Sequence, residues 1–303
     1  MEDEELSTTS MNTIYKYTIS PYDSASYKAE YSTAEDVKYL RRCLNTRLNN
    51  WCYTERGRSA IHQALSCFSI KSDDVVTILT TSGNYYISSC VTNEIERFCR
   101  WSRNIESNTR IIFINHEFGY PFKHPESLLK YKLPIIEDCA YGFFTEDPDD
   151  AMGKIGDFVI YSLSKAFSVK YGGILKCNNE RFRIKNTISS IQASELETHL
   201  SFQIKDIEGI KAARLRNYNL FFSNLTPLGI EPFFKLVDGV IPGVILFKWR
   251  NNINYAALKT YMQEYGVEST VFYGKPAFYL PIHQNLDEGD INTICEMIRN
   301  FSK

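Results

Sequence analysis

Apolar positions along the chain repeat with two alternating periods. Over residues 32–45, STAEDVKYLRRCLN opens on a Ser or Thr cap with early acids and spaces Val37, Leu40 and Leu44 as an amphipathic helix does. After Gly57, IHQALSCF sets Ile61, Ala64, Leu65 and Phe68 at helical spacing, so a second helix is expected to begin near Arg58 or Ser59 and to stop before Ser72-Asp73-Asp74. Short apolar runs then alternate with helical stretches. VVTIL (75–79) precedes a helix-like segment from Asn84 to about Arg103, IIFIN (111–115) precedes the helix PESLLKY (125–131), and LPIIE (133–137) follows. Two more runs, DFVIYSL and GGILKC, flank a short polar loop. Strands joined by helices predict a mostly parallel sheet in an α/β layer fold.

After Glu180 the pattern is helical to about Ser223, and the remainder mixes a strand, VILFKW, with helices in YAALKTYMQEYG and INTICEMIRNF. The expected organisation is an N-terminal arm over 1–31, rich in Ser, Thr and Tyr without sustained period, a large α/β domain over 32–215, and a small C-terminal α+β domain over 216–303.

Composition narrows the class. With 303 residues, 44% hydrophobic and 23% charged, and 20 Tyr and 19 Phe, the chain has ample material for packed cores and is no disordered tail. Lys+Arg at 34 against Asp+Glu at 36 gives a net charge of -2, without global attraction to nucleic acid or an anionic membrane. The acidic start MEDEEL is unlike a signal peptide, and no apolar run approaches the roughly 20 residues of a bilayer span. A cytoplasmic protein is expected. Eight cysteines without a C-x-x-C pair read as reduced, mostly buried thiols. The sequons at Asn224 and Asn300 carry no weight without an export signal. Arg97, Arg100 and Arg103 beside Trp101, and Arg181, Arg183 and Lys185, read as solvated faces, so no nucleic-acid partner is expected. The five histidines lack metal-ligand spacing, so no metal is expected.

Three features could carry chemistry. Gly57-Arg58-Ser59-Ala60 opens a helix whose free N–H groups would hold an anion, or it is a plain helix start. Asp138 follows a buried strand, at the edge where open α/β sheets bind ligands, or it caps the next turn. Lys165, in YSLSKAFSVKYGG, leaves a strand after Ser162 and Ser164 and precedes Gly172-Gly173; a lone lysine there is ordinarily a surface ammonium. Together, an amine, a buried carboxylate and an anion cup are what pyridoxal phosphate requires.

These residues sit within a longer series: Gly57 to Ala60, His116-Glu117-Phe118-Gly119-Tyr120-Pro121, Ile136-Glu137-Asp138, Gly156-Asp157-Phe158 and Lys165. In this order they resemble the fold-type I pyridoxal-phosphate-dependent enzymes, most of all the DegT/DnrJ/EryC1/StrS sugar aminotransferases. The likeness runs from about residue 35 to the end. It implies a large domain with a seven-stranded, mostly parallel sheet and a small α+β domain, and pyridoxal 5'-phosphate as cofactor. Lys165 would be the Schiff-base lysine, Asp138 the partner of the pyridine nitrogen, and Gly57, Arg58 and Ser59 the phosphate site. Tyr85, of the pair Tyr85-Tyr86, would stack on the ring, or either tyrosine is core. Ser162 and Ser164 would line the site, and His116 would help cover the ring or be structural.

The resemblance further implies an aminotransferase moving an amino group from an amino acid, glutamate, to a nucleotide-linked keto-sugar, in a homodimer with sites at the interface. Departures point elsewhere. Tyr141 in Asp-x-Ala-Tyr and the Ser-x-Ser-Lys spacing resemble class I aminotransferases, in which such a tyrosine binds the cofactor's phenolic oxygen. Tyr171 replaces the acid of the family's Gly-Glu-Gly-Gly loop, and the cross-subunit Gly-x-Asn-x-Arg segment is not recognisable between 181 and 210. Arg250 would pair the carboxylate of a small keto acid; Lys170, Arg181, Arg183 and Lys275 would instead form a wider basic rim for a nucleotide diphosphate. Another pyridoxal-phosphate reaction, such as dehydration or elimination, and a non-catalytic binding protein are the rival readings.

Overall fold

The computed structural model describes residues 15–22 and 32–302. The rest of the expected N-terminal arm lies outside the described residues.

Helix α1 (Ala34–Leu48) begins where expected, because Thr33 and Asp36 form a reciprocal capping box, and it buries Leu40, Leu44 and Leu48. Strand β1 (Trp51–Thr54) leads into α2 (Gly57–Ser66), which turns Ala60, Ile61, Ala64 and Leu65 inward. The chain continues through β2 (Val75–Thr80), α3 (Ser89–Ile95), β3 (Arg100–Ser102), β4 (Thr109–Asn115), β5 (Ile135–Asp138), β6 (Phe158–Ser162), α4 (Leu163–Ala166) and β7 (Gly173–Cys177). Helices α5 (Ser190–Gln203) and α6 (Ile207–Leu225) follow, then β8 (Ile230–Pro232), β9 (Ile245–Trp249), α7 (Tyr255–Glu264), β10 (Thr270–Val271), β11 (Phe278–Leu280) and α8 (Glu288–Phe301).

The expected seven-stranded, mostly parallel sheet is present, in the order β1-β7-β6-β5-β4-β2-β3. Only the pairings of β7, with β6 and with β1, are antiparallel. The central strands are largely buried on both faces, as in parallel sheets generally. A second sheet, β10-β11-β9-β8, is antiparallel and packs with α6 and α8 around Phe221, Phe247, Phe278 and Ile294.

Three local expectations are corrected. The helix-like segment 84–103 is helical only as α3, capped by the Ser88 side chain, and its end becomes edge strand β3 in register with Val75 to Thr77. PESLLKY forms a 3-10 helix, bounded by left-handed His124 and Lys132. Residues 180–188 are not helical: Tyr53 donates its N–H to Asn186 Oδ1 at 2.9 Å and Thr187 N–H donates to Tyr53 O at 3.1 Å. This segment covers edge strand β1, which an apolar pattern of four residues did not announce.

Strands β2, β4, β5, β6 and β1 all end on one edge, at Thr80, Asn115, Asp138, Ser162 and Thr54. Two glycines bring the loops above that edge together. Gly172 holds a φ of +121° and donates its N–H to Glu55 O at 2.8 Å. A Cβ on Gly173 would stand 2.5 Å from Thr54 Oγ1 and 2.6 Å from the Arg56 carbonyl carbon. Among the described residues no helix is long and apolar enough to cross a membrane.

Gly173→Ala therefore forces β7 away from the β1–α2 turn. It should lower unfolding stability by about 1–3 kcal/mol, as overpacking does, measured as a shift in the urea midpoint at unchanged slope.

Candidate active site

A cavity of about 420 Å³ opens above the carboxyl edge of the large sheet, between it and the β10–β11 end of the small one. Asp138 stands at its floor, at the end of β5. Its Oδ1 accepts the Ala140 N–H at 3.0 Å and its Oδ2 the Asn115 amide at 3.3 Å. Burial pushes its carboxyl above the ordinary aspartate range, against the opposing charge of Lys165 and the Ala140 N–H.

Lys165, on the one-turn helix α4 just past β6, points its Nζ over the Tyr141 ring, 3.9 Å from the centroid. Tyr141 in turn packs where Gly243 has no side chain; a Cβ there would lie 2.2 Å from Tyr141 Cδ1. Ser162 and Ser164 place their hydroxyls 3.4 Å apart. The start of α2 comes close beside them: a Cβ on Gly57 would sit 3.6 Å from Ser162 Cβ. The α2 N-terminus thus aims free N–H groups and its positive pole toward the cavity that Arg56, Arg58, Lys165 and Lys170 also line.

Glu137, next to Asp138, is spent otherwise. Its oxygens accept the N–H groups of Gly153, Ile155 and Gly156 and the ring of His116, at 2.7 to 3.0 Å. The Phe122 N–H donates to His116 Nδ1 at 2.9 Å, so Nε2 carries the proton and donates it to Glu137. Both ring nitrogens are therefore occupied, and His116 borders the cavity only through its ring. His116, Glu137 and Cys139 lie within 4.8 Å of one another, as metal ligands can. Here the carboxylate is already saturated by these donors and burial keeps the Cys139 thiol protonated, so the cluster is a hydrogen-bonded anchor.

The sequence candidates divide. Gly57, Arg58, His116, Asp138, Tyr141, Ser162, Ser164, Lys165 and Lys170 line the cavity; Ser59, Tyr85 and Arg250 do not. Tyr85 is 73% exposed, and it is Tyr86 that lines the cavity, against Tyr273. Arg250 is exposed and pairs with Glu231 on the small sheet. Of the wider rim, Lys275 lies next to the lining residues, whereas Arg181 and Arg183 follow β7 at the opposite edge of the sheet, near Asp157.

No protein-family model and no curated protein sequence matches this chain. Solved structures do. The aminotransferase TlmJ from Streptoalloteichus hindustanus superposes with a TM-score of 0.71 at 14% identity, over 88% of this chain and 90% of TlmJ. A DegT DnrJ EryC1 StrS aminotransferase from Brucella abortus gives 0.70 at 15% identity, over 90% and 92%. Spr1654 from Streptococcus pneumoniae, a proposed sugar aminotransferase, in its PMP form gives 0.70 at 12% identity, over 90% and 91%. This chain has the fold of these aminotransferases.

Within that fold, sequence reasoning missed part of the aromatic wall. Phe118 takes a left-handed conformation, φ 55° and ψ 24°, rare for an aromatic residue. It turns its ring against Tyr141, Phe272 and Tyr279, with centroids 5.1 to 5.6 Å apart. Phe272 and Tyr273 come from the turn between β10 and β11 and Tyr279 from β11, and no short pattern links them to Phe118, more than 150 residues earlier. Arg56 was missed as well, although its place directly before the Gly57 helix start was a signal that could have found it.

The raised Asp138 carboxyl gives a pH prediction. A buried acid binds its proton more tightly in the folded state, so it lowers stability as pH rises from the ordinary aspartate value through the raised one. The cofactor-free Asp138→Asn protein should melt higher than wild type at pH 7. The gap should close as pH falls below about 4; an Asn variant melting lower at every pH would contradict it.

Proposed function

We propose that this protein is a pyridoxal-phosphate-dependent aminotransferase that moves an amino group from an amino acid, glutamate, to a keto-sugar carried on a nucleotide. The observation that carries the reading is the convergence of the Lys165 amine, the buried Asp138 carboxylate, the Tyr141 phenol and the α2 N-terminus on one cavity. The donor set fits the cofactor group by group, and about 420 Å³ lies within the range of about 300–1,000 Å³ typical of small-molecule sites.

Gly57 and Arg58 at the start of α2, with Ser162 beside them, would hold the phosphate; Arg56 adds a second guanidinium on the same side. Asp138 would hold the pyridine nitrogen and Tyr141 the phenolic oxygen. Lys165 would carry the cofactor covalently. When bound, pyridoxal phosphate supplies an electron sink for the charge left as the donor loses its α proton. Asp138, already buried at the cavity floor, would keep a proton on the pyridine nitrogen. The Lys165 amine, once the incoming donor amine has displaced it from the cofactor, would take up and return the donor's α proton at Nζ. The aromatic wall of Phe118, Phe272 and Tyr279 excludes water from these transfers.

Lys170, the lining cation left once Arg56 and Arg58 hold the phosphate, favours an anionic acceptor. A small keto acid would need one fixed arginine, and Arg250 is committed to Glu231 on the other sheet. The subunits would associate as a twofold dimer, the commonest symmetric assembly.

Added pyridoxal phosphate should give a visible absorbance band, and borohydride should fix the label on the Lys165 peptide. Lys165→Ala should lose the fixed label and the activity while keeping its melting temperature. A label on Lys170, or no bound cofactor, would sink the reading. Separately, sedimentation should report a dimer; a monomer that transaminates would remove the subunit proposal alone.

A further inference from the structure

The helix that carries Lys165 cannot hold itself. Helix α4 has four residues, Leu163–Ala166, far below the roughly 12 at which isolated helices begin to persist in water. A helix leaves its last four carbonyls without partners of its own, and here those four are the whole helix. Each finds a donor. The Leu163 carbonyl accepts the Phe167 N–H at 2.7 Å. The Ser164 carbonyl accepts the Ser20 hydroxyl at 2.8 Å. The carbonyls of Lys165 and Ala166 both accept from Arg214 Nη2, at 2.9 and 3.1 Å, and Ala166 also from Gln284 Nε2 at 3.0 Å.

Arg214 is 1% exposed, and among the described residues it forms no ion pair with a carboxylate. Its Nε donates to Gln284 Oε1 at 3.1 Å, and its guanidinium lies over the Phe144 ring, 5.2 Å from the centroid. Burial lowers its pKa to about 10, which still leaves it a cation at neutral pH. Neighbouring His283 is held neutral, down to about 4, by burial and by that cation. A buried charge without a counterion is costly. What offsets it here is the carbonyl end of α4, the negative pole of a helix, and the side chain of Gln284.

We propose that Arg214 is a positioning residue: it fixes where the Lys165 amine stands by gripping the two carbonyls of its turn from behind, with Gln284 completing the clamp. The proposal rests on the reading of Lys165 as the cofactor-bearing amine. Both protons of one nitrogen, Nη2, serve adjacent carbonyls. An apolar side chain of similar length could fill the space without orienting the turn.

The test compares wild type, Arg214→Met and Arg214→Lys. Each is incubated with pyridoxal phosphate, reduced with borohydride and mapped for label on Lys165, with a thermal melt alongside. Arg214→Met should keep a cooperative melt and lose about tenfold in Lys165 labelling, the equivalent of one hydrogen bond from a charged donor. Arg214→Lys, which keeps a cationic donor, should recover most of it. A folded Arg214→Met that labels like wild type, or an Arg214→Lys no better than Met, overturns the proposal. If Arg214→Met does not fold, Gln284→Leu decides instead: about threefold lower labelling supports the clamp, and wild-type labelling overturns it. Acetic anhydride labelling of Lys165 against exposed Lys38 in the cofactor-free protein separates this from the functional reading. If wild type fixes no cofactor, that reading fails. The clamp still stands if the Lys165:Lys38 ratio changes in Arg214→Met and returns in Arg214→Lys, and falls if all three ratios agree.

Discussion

A single backbone hydrogen bond, from the Gly172 N–H to the Glu55 carbonyl at 2.8 Å, ties together the two loops on which the site depends. One loop begins α2, with its cluster of free N–H groups and flanking arginines. The other carries Ser162, Ser164 and Lys165. The bond requires a φ of +121° at residue 172 and a residue without a side chain at 173, where Thr54 and the Arg56 backbone fill the space. Two adjacent glycines therefore set the separation between an amine and an anion cup that are far apart in sequence.

Charge is arranged around that junction by sorting two adjacent carboxylates into opposite roles. Glu137 takes four donors and becomes an anchor that orients His116 and the loop at Gly153 to Gly156. Asp138, one residue on and facing the other side of the strand, accepts only two and keeps capacity toward the cavity. Alternation along a strand makes this division possible, since neighbouring side chains leave opposite faces. The cations are divided likewise. Arg56, Arg58, Lys165 and Lys170 look into the cavity, whereas Arg214 stands behind it and acts on backbone carbonyls.

Much of this was legible in the chain. The apolar runs at 75–79, 111–115 and 133–137 became parallel strands because a sheet covered on both faces needs uninterrupted apolar sequence. The order of Gly57, Asp138 and Lys165 pointed to one pocket because strand ends share an edge. What escaped was set by partners. Strand β1 owes its existence to pairing with β7, and β3 to pairing with β2. The helical-looking stretch after Glu180 is drawn out by hydrogen bonds to Tyr53. Arg250 looked available because a sequence does not show that Glu231 lies across the sheet from Lys248, beside it.

The sequence by itself determined the period of each long element, the capping of α1 and the chemical types that could meet a cofactor, because these depend on neighbours a few residues apart. The tertiary structure alone decided which aromatic rings wall the cavity, which carboxylate is spent and which is poised, and that Arg214 is buried behind Lys165. Those outcomes depend on contacts between different elements, from Glu137 with Gly153, 16 residues apart, to Phe118 with Tyr279, 161 residues apart. Their strength comes from excluding water, and that happens only once the two sheets have closed over the strand ends.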